Sequence, residues 1–277
     1  MPTNKQRREA AQRHLQRQLE RRAELARRRR RNALVGVGVL VVVLVGSVVL
    51  LITGIGGGGK KNASASASRS AAASTAAATT NADGTISCNF AKDASGNTNL
   101  KDVGIPATTV PTQGTDVLKM ATNQGDLTLT LNRSSAPCAA ASFTYLASKK
   151  FFDGSPCHRE VNEATFGVLQ CGDPTGTGSG GPSYTYRQET TSKTTYPRGT
   201  IAMANTGQPN STGSQFFLCF TDTQLSPDYS AVGTVDQAGL AVLDKIAAAG
   251  NDGSFASSAG GGAPKLPVTI TSMTVAG

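Results

Sequence analysis

Twenty consecutive residues, Ala33 to Ile52, carry no charge and read ALVGVGVLVVVLVGSVVLLI. As a helix rising about 1.5 Å per residue, such a run spans about 30 Å, the thickness of a bilayer's hydrocarbon core. The alternative is a cleaved signal peptide, whose apolar stretch is usually about 7–15 residues behind a shorter basic segment. Here the run is longer and the polar arm before it occupies residues 1–32. The sequence therefore predicts a retained single-pass anchor over residues 33–55 in the cell membrane, in contact with the lipid bilayer. Arg27 to Arg31 stand directly before it. They hold the N-terminus in the cytoplasm and place the rest of the chain outside.

The net charge of +9 belongs to that arm. Residues 1–32 contain 12 basic and three acidic residues, and the remainder of the chain holds 15 of each. A globular nucleic-acid binder carries its basic face on the folded part, so no nucleic-acid partner is expected. Lipid contact and topology account for the arm more simply. Residues 56–84 read as a flexible linker. Over 53–84, 25 of 32 residues are Gly, Ala, Ser or Thr, and Ile55 is the only bulky apolar side chain. Such a segment cannot bury enough surface to offset its ordering entropy, and random-coil scaling gives it a reach of about 30 Å. Residues 85–115 form a transitional segment, polar with scattered apolar positions and two prolines.

A folded domain is expected over residues 116–277. Val117, Leu118 and Met120 precede the turn Asn123-Gln124-Gly125-Asp126, and Leu127, Leu129 and Leu131 then alternate strictly. That pattern predicts a hairpin with one buried face. Ser135 is placed to cap a helix whose first turn holds Pro137 and whose inner face carries Ala140, Phe143, Leu146 and Ala147. A second helix fits 238–249, with Leu240, Leu243, Ile246 and Ala247 inward and Gly250 at its stop. Residues 157–171, 201–204, 216–220, 232–235 and 268–275 read as strands and turns. Many short strands with two helices favour a closed β-barrel capped by helices.

The usual catalytic arrangements are absent. The folded part has one histidine, His158, and no paired CxxC or HExxH, so no metal site is expected. No GxSxG elbow supports a nucleophilic triad. GTGSGG at 176–181 matches GxGxxG formally, but Pro182 follows and no helix begins there, so it reads as a glycine loop.

Three segments are more specific: CHRE at 157–160, VLQCGDPTGTGSGGP at 168–182, and RGTIAMANT followed by GSQFFLCF over 198–220. In this order and spacing they resemble the cyclophilin family of peptidyl-prolyl cis-trans isomerases, most closely its membrane-anchored bacterial forms. The resemblance runs from Asp116 to the C-terminus. It implies a mainly β fold, a closed eight-stranded antiparallel barrel capped by two helices, with no cofactor and with proline-containing polypeptides as substrate. Arg159 matches the family's catalytic arginine. Gln170 and Gln215 match glutamines that hold substrate and arginine. Phe217 matches the floor of the proline pocket, with Phe216 facing the opposite way. Ala204 and Asn205 match the edge that pairs with the substrate backbone. Val168, Leu225 and Tyr229 match further pocket positions. The family's pocket phenylalanine falls on Gly167, with Phe166 one step away. A one-residue step inverts side-chain direction in a strand, so Phe166 is expected to enter the pocket only through an irregular turn. The tryptophan that contacts cyclosporin in the family corresponds to Gln224, which implies weaker cyclosporin inhibition than in the human-type enzymes.

All five cysteines lie beyond the anchor, where an oxidising exterior permits disulfides. Cys157 and Cys171 flank a predicted hairpin and are the first candidate pair. Cys88–Cys138 is the second, which leaves Cys219 as a buried thiol; sequence alone leaves the connectivity open. The expected activity is isomerisation of X–Pro bonds in exported proteins. The alternative is a non-catalytic peptide-binding or chaperone module on the same fold.

Overall fold

Alternation over residues 127–131 sends Leu127, Leu129 and Leu131 to one face, and all three are buried. They pair with Met120, Leu118 and Asp116 across a two-residue turn at Asn123-Gln124. The computed structural model describes residues 80–276. In chain order its elements begin with β1 (Thr85–Ser87), β2 (Ala91–Lys92), β3 (Leu100–Lys101) and β4 (Thr109–Pro111). The hairpin β5 (Thr115–Thr122) and β6 (Gly125–Asn132) leads to helix α1 (Pro137–Ser148), then β7 (Arg159–Glu163) and β8 (Phe166–Cys171). There follow β9 (Gly181–Pro182), β10 (Tyr184–Thr185), β11 (Thr200–Met203), β12 (Phe216–Cys219), β13 (Ala231–Val235), α2 (Gln237–Ala249) and β14 (Ile270–Val275).

Eight strands form one antiparallel sheet in the order β14-β5-β6-β13-β11-β12-β8-β7. The sheet curls into a half-barrel and does not close, which corrects the expectation of a closed barrel. Its edge strands β14 and β7 do not pair with each other; the contact between the edges joins residues 154–157, before β7, to residues 268–270. The seam holds a bridge between Pro156 and Thr269 and a hydrogen bond from Cys157 N–H to the Val268 carbonyl at 2.9 Å. On its other side the Ile270 N–H donates to the Ser155 carbonyl at 2.8 Å, so Pro156 sits at a position whose own N–H the seam does not use.

The core lies between this sheet and the helices. Phe143 of α1 stacks on Phe152 and on Phe216 of β12, with ring centroids 5.1 and 4.8 Å apart. Met203 also joins this core. On α2, Leu243 and Ile246 are buried, while Leu240 and Ala247 pack at the margin. Asp236 caps α2 by accepting the Gly239 N–H, and Gly250, at φ 70°, ends it. A positive φ of this kind is one that glycine adopts without a Cβ penalty.

The N-terminus of α1 differs from expectation. Its N-cap is Ala136, without a side-chain bond, while the Ser135 hydroxyl donates to the Asn132 carbonyl. The N–H groups of the first turn are met from a distance instead. Glu189 accepts from Cys138 N–H at 3.0 Å and Ala139 N–H at 2.9 Å. A carboxylate there also faces the positive end of the helix dipole.

The folded unit also begins earlier than Asp116, within Ser74–Gly277. Strand β1 pairs with β4, β2 with β10, and β3 in parallel with β9. Ile86, Cys88, Phe90 and Val110 are buried in the main core. Two disulfides, Cys88–Cys138 and Cys157–Cys171, match both sequence candidates, and Cys219 is a buried free thiol. Among the described residues no helix is long and apolar enough to cross a membrane. The arm, the anchor over 33–55 and the linker up to residue 79 lie outside the described residues.

Candidate active site

Strands β7 and β8 form a regular hairpin in which Arg159 lies opposite Gln170, Val161 opposite Val168, and Glu163 opposite Phe166. On the neighbouring strand Phe217 lies opposite Gln170 and Cys219 opposite Val168, and Ala202 of β11 lies opposite Phe217. Residues paired directly across strands share a face, so these side chains converge on one side of the sheet. Phe216 and Leu218, one step away, point into the main core.

Phe166 reaches this face without an irregular turn, contrary to the expectation from the family spacing. It lies two and four residues before Val168 and Gln170, and period-two alternation puts all three on one side. Gly167 points the other way. A Cβ there would lie 2.4 Å from Thr221 Oγ1 and 2.7 Å from the Phe220 ring, which only glycine avoids.

The converging side chains build an apolar wall separate from the main core. Val161, Val168, Tyr196, Ala202, Phe217 and Cys219 are its buried members, and Phe166, Ala204, Leu225 and Tyr229 pack against them. Phe217 meets Tyr229 edge-on, 5.4 Å between centroids. The Tyr196 hydroxyl holds Tyr229 in place. It accepts the Tyr229 N–H and donates to the Tyr229 carbonyl, both at 2.9 Å.

A polar chain borders this wall. Arg159 Nη1 donates to Gln170 Oε1 at 2.8 Å, and Gln170 Nε2 donates to Gln215 Oε1 at 2.9 Å. Gln215 Nε2 in turn donates to the carbonyls of Gly178 and Gly180, at 2.9 and 3.0 Å. From the other side, Arg159 Nε donates to the Gly260 carbonyl at 3.0 Å, and Nη2 donates to the Ala259 carbonyl. The guanidinium carbon lies 5.9 Å from the Phe166 ring centroid, a cation–π distance.

Every hydrogen-bond partner of the guanidinium is neutral, so its charge is held without being cancelled. Burial lowers the Arg159 pKa, yet an arginine starts so high that it stays charged. The next residue, Glu160, alternates to the opposite face and is buried there, where desolvation raises its pKa. His158 is likewise buried; desolvation lowers its pKa against the opposing pull of Asp173. Burial pushes the Cys219 thiol up to about 12, which keeps it neutral within the wall.

Of the substrate-site residues singled out from the sequence, Arg159, Phe166, Val168, Gln170, Gln215, Phe217, Leu225 and Tyr229 meet here. Ala204 and Asn205 border the adjoining cavity. The Asn205 side chain is occupied in its own loop, donating to the Asp228 carbonyl and accepting the Gly207 N–H. Gln224 is exposed and its N–H donates to the Thr165 carbonyl. Sequence reasoning missed Val161, whose parity with Arg159 was available in the pattern. It also missed Tyr196 and the Ala259 and Gly260 carbonyls, for which no local signal exists.

The family model described as cyclophilin type peptidyl-prolyl cis-trans isomerase/CLD matches residues 117–275. A probable peptidyl-prolyl cis-trans isomerase B of Mycobacterium leprae is 48% identical over 302 aligned positions, covering 99% of this chain and 99% of that protein. The protein of the same description from Mycobacterium tuberculosis is 43% identical over 190 positions, covering 63% of this chain and 59% of its own length. A crystal structure of a cyclophilin type isomerase from Cryptosporidium parvum superposes with a TM-score of 0.51 at 26% identity, covering 59% of this chain and 99% of that one. A half-barrel whose one apolar wall is bordered by a fixed, uncancelled guanidinium, together with these matches, establishes that the chain belongs to the cyclophilin-type peptidyl-prolyl cis-trans isomerase family.

Proposed function

We propose that this chain is a membrane-tethered isomerase of X–Pro bonds in exported polypeptides, with Arg159 as its catalytic residue. An X–Pro bond isomerises over tens to hundreds of seconds because amide resonance must be broken, although cis and trans differ little in energy. No covalent bond is made or cleaved. The catalyst has only to favour the twisted peptide over both planar forms.

A proline ring seated on Phe217, between Val168, Phe166, Leu225 and Tyr229, fixes one side of the rotating bond. As the bond twists, the prolyl nitrogen becomes pyramidal and its lone pair localises. The guanidinium then donates an N–H to that nitrogen, an interaction weak in either planar form. Three of the five guanidinium N–H groups are committed to Gln170, Ala259 and Gly260. One on each Nη is left for substrate. Because the anchors are already in place, little reorganisation accompanies the twist, and the low-dielectric wall strengthens the interaction. Gln170 and Gln215 hold the arginine and reach substrate, and Ala204 and Asn205 offer an edge for its backbone.

The observation that carries this reading is the guanidinium of Arg159, held only by neutral acceptors beside the Phe217 wall. A proline-isomerisation assay on residues 74–277, with Arg159→Ala alongside, tests it. The variant is expected to lose about a hundred-fold in kcat/KM, the scale of a removed transition-state donor. Equal rates in both proteins would favour a peptide-binding module without catalysis. The tether rests on the uncharged run 33–52 behind Arg27–Arg31. Reporter fusions at either end test it, and a cytoplasmic C-terminus would reject the proposed topology.

A further inference from the structure

Beside the apolar wall the site opens into a cavity of about 430 Å³ that shares Gln170, Gln215, Ala204 and Asn205 with it. One side of this cavity comes from outside the family region. Asp93, Asn97 and Leu100 line it, although the family match begins only at residue 117. The upstream stretch is fastened along its length. β2 pairs with β10 and β3 with β9. The Asp93 N–H donates to the Ser183 carbonyl at 2.9 Å, and Asn97 Nδ2 to the Ser179 carbonyl at 2.8 Å. Asn99 Nδ2 donates to Ser179 Oγ at 2.9 Å, and Cys88–Cys138 ties the segment to α1. The wall is thus built into the fold.

Asp93 is the only charged residue among those lining the cavity. It is half-buried, and its Oδ1 accepts the Ser95 N–H at 2.7 Å. Its Oδ2 has no hydrogen-bond partner among the described residues. Lys92, next in sequence, does not line the cavity and acts electrostatically on Asp102. The family region is close to neutral, with 10 basic and 12 acidic residues over 116–277, and Arg159, which Gln170 holds from beyond the cavity, does not line it. An extended substrate with its proline on Phe217 passes Gln170 and Gln215 and presents a flanking side chain to this cavity.

We infer that Asp93, carried in by the upstream segment, makes this cavity select a basic residue, lysine or arginine, flanking the substrate proline. The inference rests on the reading in which Phe217 receives the proline.

The test uses the full chain and matched proline peptides in which Lys, Ala or Glu is stepped through the flanking positions on both sides. Binding is read by titration and turnover by proline isomerisation. At one flanking position, the Lys peptide is expected to exceed the Glu peptide by about two- to five-fold in affinity and in kcat/KM, the range of a partly exposed ion pair. The ratio should shrink with added salt, approach one in Asp93→Asn and invert in Asp93→Lys. Turnover without any Lys-over-Glu ratio, or a ratio unchanged in both variants, overturns the Asp93 selection and leaves the isomerase standing. Selective binding without turnover overturns the isomerase reading and leaves the selection. Neither binding nor turnover overturns both.

Discussion

Arg159 and Gln170 stand opposite one another in register across β7 and β8, and the 2.8 Å bond from Nη1 to Oε1 lies directly over that pairing. The ladder fixes both backbones, so the glutamine sets where the guanidinium rests. Gln215 then ties the pair to the glycine loop. The arginine is aimed by main-chain geometry through two neutral amides.

Gln170→Ala is therefore expected to act mainly on kcat. With one of three anchors gone the guanidinium samples more positions, and misplacement on the ångström scale costs about ten-fold or more in rate. KM should change less, because the Phe217 wall is intact. Steady-state isomerisation kinetics check this split; a rise in KM at constant kcat would assign Gln170 to binding alone.

Glu189 introduces a pH dependence of stability. Burial pushes its carboxyl up to about 7, against the opposing pull of the Cys138 and Ala139 N–H groups. In the folded protein it therefore keeps its proton at pH values where the unfolded chain has released it. The contribution to stability is present in full below about pH 4.5 and declines as pH rises to about 7, by at most about 3 kcal/mol. Comparing urea midpoints of wild type and Glu189→Gln across this range isolates the effect, and the two curves should converge in shape if another group is responsible.

The two disulfides should differ in weight. Cys88–Cys138 closes a separation of 50 residues and Cys157–Cys171 one of 14. Chain-entropy arguments give about 4 and about 3 kcal/mol. Replacing Cys88 and Cys138 together by serine is expected to lower Tm more than replacing Cys157 and Cys171. Calorimetry of the two double variants decides the order.

Gln224 is exposed where the family resemblance places a cyclosporin-contacting tryptophan. The wild-type protein is expected to bind cyclosporin with an inhibition constant above the nanomolar range, and Gln224→Trp to tighten it by restoring aromatic area. Inhibition assays on both proteins test this, and nanomolar inhibition of the wild type would contradict it.

Periodicity made much of this legible before any coordinates. Alternation at Leu127, Leu129 and Leu131 marked the buried hairpin, and the family resemblance carried by the segments at 157–160, 168–182 and 198–220 pointed to Arg159, Gln170 and Phe217. The same parity, applied to Phe166, already put it beside Val168; counting by family spacing obscured that. Local pattern could not reveal the upstream wall of Asp93 and Asn97, the Glu189 cap on α1, the Tyr196 brace under Tyr229, or the carbonyls at 259 and 260 that hold Arg159. Those contacts join residues between 33 and 101 positions apart. Several of them use main-chain oxygens, which every residue carries alike. A carbonyl has no residue-type signature, so only the folding of distant segments onto one another reveals which of them faces the guanidinium.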